Sequence, residues 1–309
     1  MAFAPGARLD EWVIDDILGG GRDGVVYRGH EASNPRNIVA LKVYAIANPR
    51  LRREFEVIHS LDHPNIVAVH HARFDGAYPY LVLDHIDGPT LARWMSEGAM
   101  EPKLAETVFR DALSAIAYLH ERGLYHRDVK PQNFLFDRVH GRLVLVDFGH
   151  VHGRDAPVIT SPDIVFASLA YAPPECGSDA ENDAARDLYA LGVILYEMLT
   201  GRHAFTFDRA SPPHEQLLGL REQQQRGPLD PGPPSPGRLR ELVRSTTAPN
   251  PDDRLKSANA VQELLDLDPD AATPARPPQR IATPRMNTQT RAPRREHPWR
   301  QAFQRWWDR

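Results

Sequence analysis

Between residues 10 and 86, apolar and polar positions alternate in short runs. The segments EWVIDDIL, GVVYRGHE, NIVALKVYA, IVAVHHARF and YPYLVLDHI are β-branched or aromatic stretches separated by Gly, Asn and Pro. That pattern predicts strands joined by turns. One helical segment interrupts them: in LRREFEVIHSL, Phe55, Ile58 and Leu61 recur at helical spacing and Pro64 ends the run. From Thr90 onward the period changes. KLAETVFRDALSAIAYLHERG sets Leu104, Val108, Ala112, Leu113, Ile116 and Ala117 on one face, and Gly123 follows as a cap. Two short strands are expected around NFLFD and RLVLVDF, with helices dominating after them to about residue 268. The expected class is α+β, with a β-rich part over residues 10–86 carrying one helix and a mainly helical part over 87–268, preceded by a short lead of residues 1–9.

Composition agrees with one large domain or two lobes sharing a core. The chain has 309 residues, 41% hydrophobic and 25% charged, the profile of a globular protein. Its one cysteine, Cys176, excludes an intramolecular disulfide and suits a reducing compartment. The most apolar stretch, LYALGVILYEMLTG, is shorter than the ~20 residues of a spanning helix and contains Glu197. The opening MAFAPGARLDEW lacks the apolar core of a signal peptide, so the body is expected in the cytoplasm. Charge is uneven. From Ala271 onward nine arginines face only Glu296 and Asp308, a balance of +7, which leaves −11 for the rest of a chain whose net charge is −4. An acidic body with a basic tail suggests two functional units.

Four segments carry chemistry. In LGGGRDGVVY, Gly19, Gly21 and Gly24 fit G-x-G-x-x-G, and glycines let backbone N–H groups approach phosphate oxygens. The flanks read as strands on both sides, whereas a dinucleotide fold would run from the glycines into a helix; the expected object is a flap over phosphates, against the plainer reading of a Gly-rich hairpin. Lys42 follows in the alternating strand VALK. The chain has 33 arginines and four lysines, so a retained lysine is informative: a compact ammonium suits a phosphate pair and one carboxylate partner. Glu54 on the following helix is the best partner, with Glu56 the alternative. In LYHRDVKPQNFLF, Asp128, Lys130 and Asn133 fall within six residues. An Asp can orient or accept a hydroxyl proton, a Lys two residues on can reach a transferring phosphoryl group, and an Asn carbonyl is a hard ligand for Mg²⁺. Asp147, in VDFGH at a strand end, is suited to a second metal bond.

These segments, in this order, resemble the protein kinase signature set. Residues 10–268 resemble the eukaryotic-like, Hanks-type Ser/Thr protein kinases of bacteria, with further matches in YAPPE, in DLYALGVILYEMLTG beginning at Asp187, and in NPDDR ending at Arg254. The resemblance implies a bilobal protein kinase fold using ATP and Mg²⁺. It implies Asp128 as catalytic base or hydroxyl-orienting residue, Lys130 on the γ-phosphate, Asn133 and Asp147 on Mg²⁺, and Lys42, positioned by Glu54, on the α/β-phosphates. Val26, Ala40 and Leu135 would sandwich adenine, backbone groups of Asp84 and Ile86 would meet its edge, and Leu83 would stand at the back. Glu175 and Arg254 would form a buried ion pair. The sequence departs from the family where Ala167 replaces a usual Gly, Ser168 stands for the common Thr near Asp128 and Lys130, and PPE replaces APE. Lys130 in HRDVKPQN resembles the Ser/Thr form of the loop, so protein substrates with Ser or Thr acceptors are expected, and no nucleic acid.

The same resemblance makes Arg127 the reader of a phosphate on the loop between His150 and Tyr171, where Thr160 or Ser161 is the expected self-phosphorylation site. His140, His150 and His152 read as solvated rather than metal-binding. Residues 270–298, rich in Pro, Thr and Arg, read as disordered and include Thr273 and Thr283 as plausible self-phosphorylation sites. The terminal HPWRQAFQRWWDR spaces Trp299, Phe303, Trp306 and Trp307 along one helical face, a candidate for docking a partner, the kinase itself or an anionic membrane surface, against an unstructured end. Competing readings of the whole chain are a pseudokinase scaffold, disfavoured because every catalytic position is filled, and a small-molecule phosphotransferase of related fold. The latter families usually lack the lysine after the catalytic Asp and the pairing of PPE with Arg254.

Overall fold

The structure, a computed structural model, describes residues 3–20, 24–45, 49–149, 151, 169–176, 182–206, 208 and 211–267. Its N-terminal half is built on one antiparallel sheet of β1 (Arg8–Leu9), β2 (Trp12–Gly20), β3 (Gly24–Glu31), β4 (Asn34–Tyr44), β5 (Val69–Arg73) and β6 (Tyr80–Asp84), in the order β1-β2-β3-β4-β6-β5. Period-two alternation sorts the side chains. On β4, Val39, Leu41 and Val43 join Trp12, Ile14 and Tyr27 in a cluster on one face. Ala40 and Tyr44 join Leu81 and Leu83 of β6 in the main core on the other. Lys42 therefore points to the inner face, toward the second half of the chain.

Helix α1 (Pro49–His59) lies on that inner face. Its inward residues are Leu51, Glu54 and Ile58, all at most 2% exposed, while Glu56 is exposed. The apolar stripe thus carries a carboxylate in its middle. Leu61, expected on the same helical face, lies beyond the helix end.

The C-terminal half is mainly helical. After α2 (Leu91–Met95) comes α3 (Pro102–His120), whose buried face of Ala105, Val108, Phe109, Ala112, Leu113, Ala115, Ile116 and Leu119 is turned slightly from the expected stripe, leaving Leu104 and Ala117 only partly covered. Gly123, at φ 68, ends it: the Leu124 N–H reaches Leu119 O and the Gly123 N–H reaches His120 O, both at 3.0 Å. Strands β7 (Phe134–Asp137) and β8 (Arg142–Leu145) form a two-stranded sheet over α3. Helix α4 (Asp183–Thr200) is buried along almost its whole length, as a helix apolar on all sides should be. After it come α5 (Pro213–Gln225), α6 (Gly237–Thr247), which packs on α4, and α7 (Ala258–Asp266), which packs on α3 and α6. Among the described residues no helix is long and apolar enough to cross a membrane.

A buried arginine ties the late helices to the segment before α4. Arg254 gives Nη1 and Nη2 to Glu175 at 2.5 and 2.9 Å, Nε to Ala248 O at 2.5 Å and Nη2 to Pro249 O at 2.8 Å. Its guanidinium lies 5.1 Å from the ring centre of Tyr189. The fork makes four hydrogen bonds at once, two of them bidentate to the carboxylate, one more than the three donors of an ammonium allow.

The α4–α6 contact leaves no room for a side chain at Gly192. A Cβ there would meet Thr246 Oγ1 at 2.1 Å and Thr247 Cγ2 at 2.9 Å. Gly192→Ala is expected to destabilise the fold by about 1–3 kcal/mol through overpacking. That lowers the melting temperature by roughly 2–4 °C per kcal/mol in a domain of this size. An unchanged melting curve would contradict the close helix contact.

Candidate active site

Lys42 is where the site begins. Its Nζ donates to Glu54 Oε1 at 2.7 Å and to Asp147 Oδ1 at 2.8 Å. Burial alone would push this ammonium's pKa down, but the charges of Glu54 and Asp147 outweigh it and hold the group well above the ordinary lysine range. Lys42 is therefore charged at every physiological pH. Three elements meet at one atom: a strand of the sheet, helix α1, and the segment after β8.

Glu54 is held from three directions. Besides Lys42, Tyr44 donates its hydroxyl to Oε2 at 2.5 Å, and the Phe148 N–H approaches Oε1 at 3.4 Å. The Tyr44 phenol is pushed far above its usual pKa, by burial first and by the Glu54 charge second, so it stays a donor. Of the two glutamates open as partners for Lys42, the one on the buried face of α1 makes the contact. No motif marks Tyr44, though period two places it on the same strand face as Lys42.

Asp128, Lys130 and Asn133 come together on the loop before β7. Lys130 Nζ donates to Asp128 Oδ2 at 2.6 Å. Asn133 Nδ2 donates to the backbone oxygen of Asp128 at 2.8 Å and lies 3.3 Å from Oδ2. These bonds use the amide nitrogen and leave the Asn133 carbonyl as the donor it can offer a metal. The loop itself is fixed from below by Asp187 of α4, which is fully buried. Asp187 accepts from the backbone N–H groups of His126 and Arg127, both at 2.8 Å, and from His120 Nε2 at 3.0 Å. Burial would raise the Asp187 pKa, but the bonds from His120 and His126 together win and lower it.

Asp147 is placed by the same loop. His126 is fully buried and its Nε2 donates to the Asp147 carbonyl at 2.9 Å; a carbonyl only accepts, so Nε2 carries the proton. Asp147 takes φ 69 and Arg127 φ 61, left-handed conformations that cost a non-glycine residue free energy and cluster at working sites. With its backbone so turned, Asp147 keeps a side chain 41% exposed while touching Lys42. Asn133 and Asp147 offer hard oxygen donors on neighbouring elements, a donor set that fits a small divalent cation.

A cleft of about 560 Å³ lies between the halves, lined among others by Val26, Ala40, Leu83, Ile86 and Leu135 and, at its polar end, by Lys42, Asn133 and Asp147. Asp84, Gly19 and Gly24 also line it. Size and apolar walls suit a planar heterocycle with a charged extension. The two described glycines of the G-x-G-x-x-G pattern differ in what they need. At Gly19 a Cβ would meet nothing, whereas at Gly24 it would come within 2.0 Å of Val43 O. Gly24 is thus required by its neighbouring strand. Gly21, Thr160, Ser161, Ser168, His150 and His152 lie outside the described residues, while His140 bonds Asp137 at 2.6 Å. Arg127, expected to read a phosphate, donates instead through Nε and Nη2 to Asp183 Oδ1 and Oδ2, each at 2.6 Å.

The protein kinase domain model matches residues 12–265. The chain is 36% identical over 295 residues to serine/threonine-protein kinase PknL of Mycobacterium tuberculosis, covering 93% of this chain and 72% of that protein. It is 31% identical over 256 residues to serine/threonine-protein kinase PrkC of Bacillus subtilis, covering 80% of this chain and 38% of PrkC. It is 32% identical over 276 residues to serine/threonine-protein kinase PkaA of Streptomyces coelicolor, covering 82% and 49%. The chain belongs to the protein kinase family, among the Hanks-type serine/threonine kinases of bacteria.

Proposed function

We infer that this chain is a serine/threonine protein kinase that moves the γ-phosphoryl group of ATP to Ser or Thr hydroxyls of protein substrates, with Mg²⁺ as its metal. The observation that carries this reading is the convergence of Lys42, Glu54 and Asp147 within hydrogen-bond distance, at the polar end of an apolar cleft. When bound, the nucleotide supplies the phosphoryl group and the divalent cation neutralises its charge.

The chain's own residues do the positioning. Lys42 presents an ammonium that two carboxylates keep charged, and it would hold the α/β-phosphates. Val26, Ala40 and Leu135 would enclose adenine, with Leu83 behind it and backbone groups of Asp84 and Ile86 at its edge. Gly19, Gly21 and Gly24 are proposed for the flap that would cover the phosphates. Asn133 and Asp147 would hold the metal. Asp128 accepts or orients the proton of the acceptor hydroxyl. Lys130, 2.6 Å from it, would supply positive charge beside the oxygens of the transferring phosphoryl group. We propose Thr160 or Ser161 as self-phosphorylation sites and Ser168 as a hydroxyl partner of the catalytic loop; a phosphate on the loop would compete with Asp183 for Arg127. The basic aromatic tail is proposed as a docking segment for a protein partner or for an anionic membrane surface, which would place the chain at the inner membrane face, on the strength of its aromatic spacing.

Lys42→Met and Asp147→Ala are each expected to abolish most turnover, and Asp128→Ala to cost at least ~10²–10⁴-fold. Phosphate incorporation into a generic basic protein substrate measures this, and near-wild-type rates in any of the three contradict the roles. Tyr44→Phe leaves Glu54 Oε2 buried without a donor, a cost of about 1–3 kcal/mol, and so lowers kcat/KM for ATP by roughly tenfold or more. Steady-state kinetics reads the loss, and an unchanged kcat/KM would mean that Tyr44 does not hold Glu54.

A further inference from the structure

The catalytic loop makes an ion pair that phosphoryl transfer does not itself call for. Arg127 lies between His126 and Asp128, and its guanidinium is gripped side-on by Asp183 through two bonds of 2.6 Å. The side chains are only 11% and 17% exposed, so water screens the pair weakly. Asp183 is the first residue of α4, and Asp187 one turn later accepts the Arg127 backbone N–H at 2.8 Å. Two carboxylates spaced i, i+4 on one helix face therefore hold both the main chain and the side chain of one residue. A helix N-terminus is also a favourable place for a carboxylate. Among the described residues, Arg127 Nη1 is buried without an acceptor, so the pair neutralises the guanidinium without using all its donors. The backbone held this way is at φ 61, and the next residue is Asp128.

A phosphate on the loop between His150 and Tyr171 would offer Arg127 an equally bidentate, anionic partner. We propose that Asp183 is a positioning residue that already fills this part from within the fold. It fixes Arg127, and through it the strained turn that sets Asp128, so turnover does not wait for loop phosphorylation. This goes beyond the functional reading above and rests on its assignment of Asp128 to the acceptor hydroxyl.

The test uses the full chain made with and without a co-expressed phosphatase, its phosphorylation state read by intact mass. Wild type, Asp183→Asn, Asp183→Glu and Asp128→Ala are assayed with ATP and a generic basic protein substrate. Dephosphorylated wild type is expected to keep kcat within about threefold of the phosphorylated form. Dephosphorylated Asp183→Asn should lose about ten- to a hundredfold in kcat, the range for losing a charged hydrogen-bond partner. Its KM for ATP should be unchanged, with recovery on phosphorylation or in Asp183→Glu. The proposal is overturned if dephosphorylated wild type loses more than about tenfold. It is also overturned if Asp183→Asn is impaired equally in both phosphorylation states, or not at all. Should Asp183→Asn fail to fold, judged by its melting curve, the wild-type comparison decides alone. Near-wild-type rates in Asp128→Ala would instead remove the functional reading on which the proposal stands.

Discussion

One ammonium group, that of Lys42, holds the two halves of the molecule in working register. It sits between the carboxylate of α1 and the carboxylate that follows β8, at 2.7 and 2.8 Å. Removing charges from water is costly, and such an arrangement survives only when every partner is present and hydrogen-bonded. Here the partners come from residues 12 and 105 positions away in the chain. Any shift of α1 or of Asp147 would leave a buried charge unmatched. The same atoms that make the fold intolerant of slippage surround the place where phosphates would lie.

Beneath the cleft, α4 does for the catalytic loop what Lys42 does for the lobes. It is apolar on nearly every side, yet it carries three carboxylates into the interior. Asp187 receives two backbone N–H groups of the loop, Asp183 receives the Arg127 guanidinium, and Glu197 receives the Tyr171 hydroxyl at 2.8 Å and the Ala204 N–H at 3.1 Å. Each acid is fully engaged, which is how buried carboxylates remain compatible with a packed core. The loop conformations at Arg127 and Asp147, unfavourable by themselves, persist because these contacts over-determine them.

Much of this was legible in the sequence, for reasons that can be named. The β strands follow from alternation, and the inner placement of Lys42 follows from its phase with Ala40. Lys42 and Lys130 stand out because the chain writes arginine almost everywhere else. The choice between Glu54 and Glu56 was also readable: Glu54 falls in phase with Leu51 and Ile58, on the buried stripe. Tyr44 was readable by the same alternation, which sets it beside Lys42. Asp183 was not readable, because nothing local marks a carboxylate whose partner lies 56 residues earlier. Nor were the left-handed turns at Arg127 and Asp147, since neither residue type announces φ above zero. Gly24 was marked by its motif, but its constraint is a collision with the neighbouring strand, visible only once β3 and β4 are paired.

The proposed function requires Lys42, Asn133 and Asp147 to stand around one ligand. The most direct measurement is a crystal structure with a non-hydrolysable ATP analogue and Mn²⁺, the metal located by its anomalous signal. The metal peak is expected against Asn133 Oδ1 and the Asp147 carboxylate, with Lys42 on the phosphates and still bonded to Glu54. A metal bound elsewhere, or a Lys42 amine turned away from the phosphates, would contradict it.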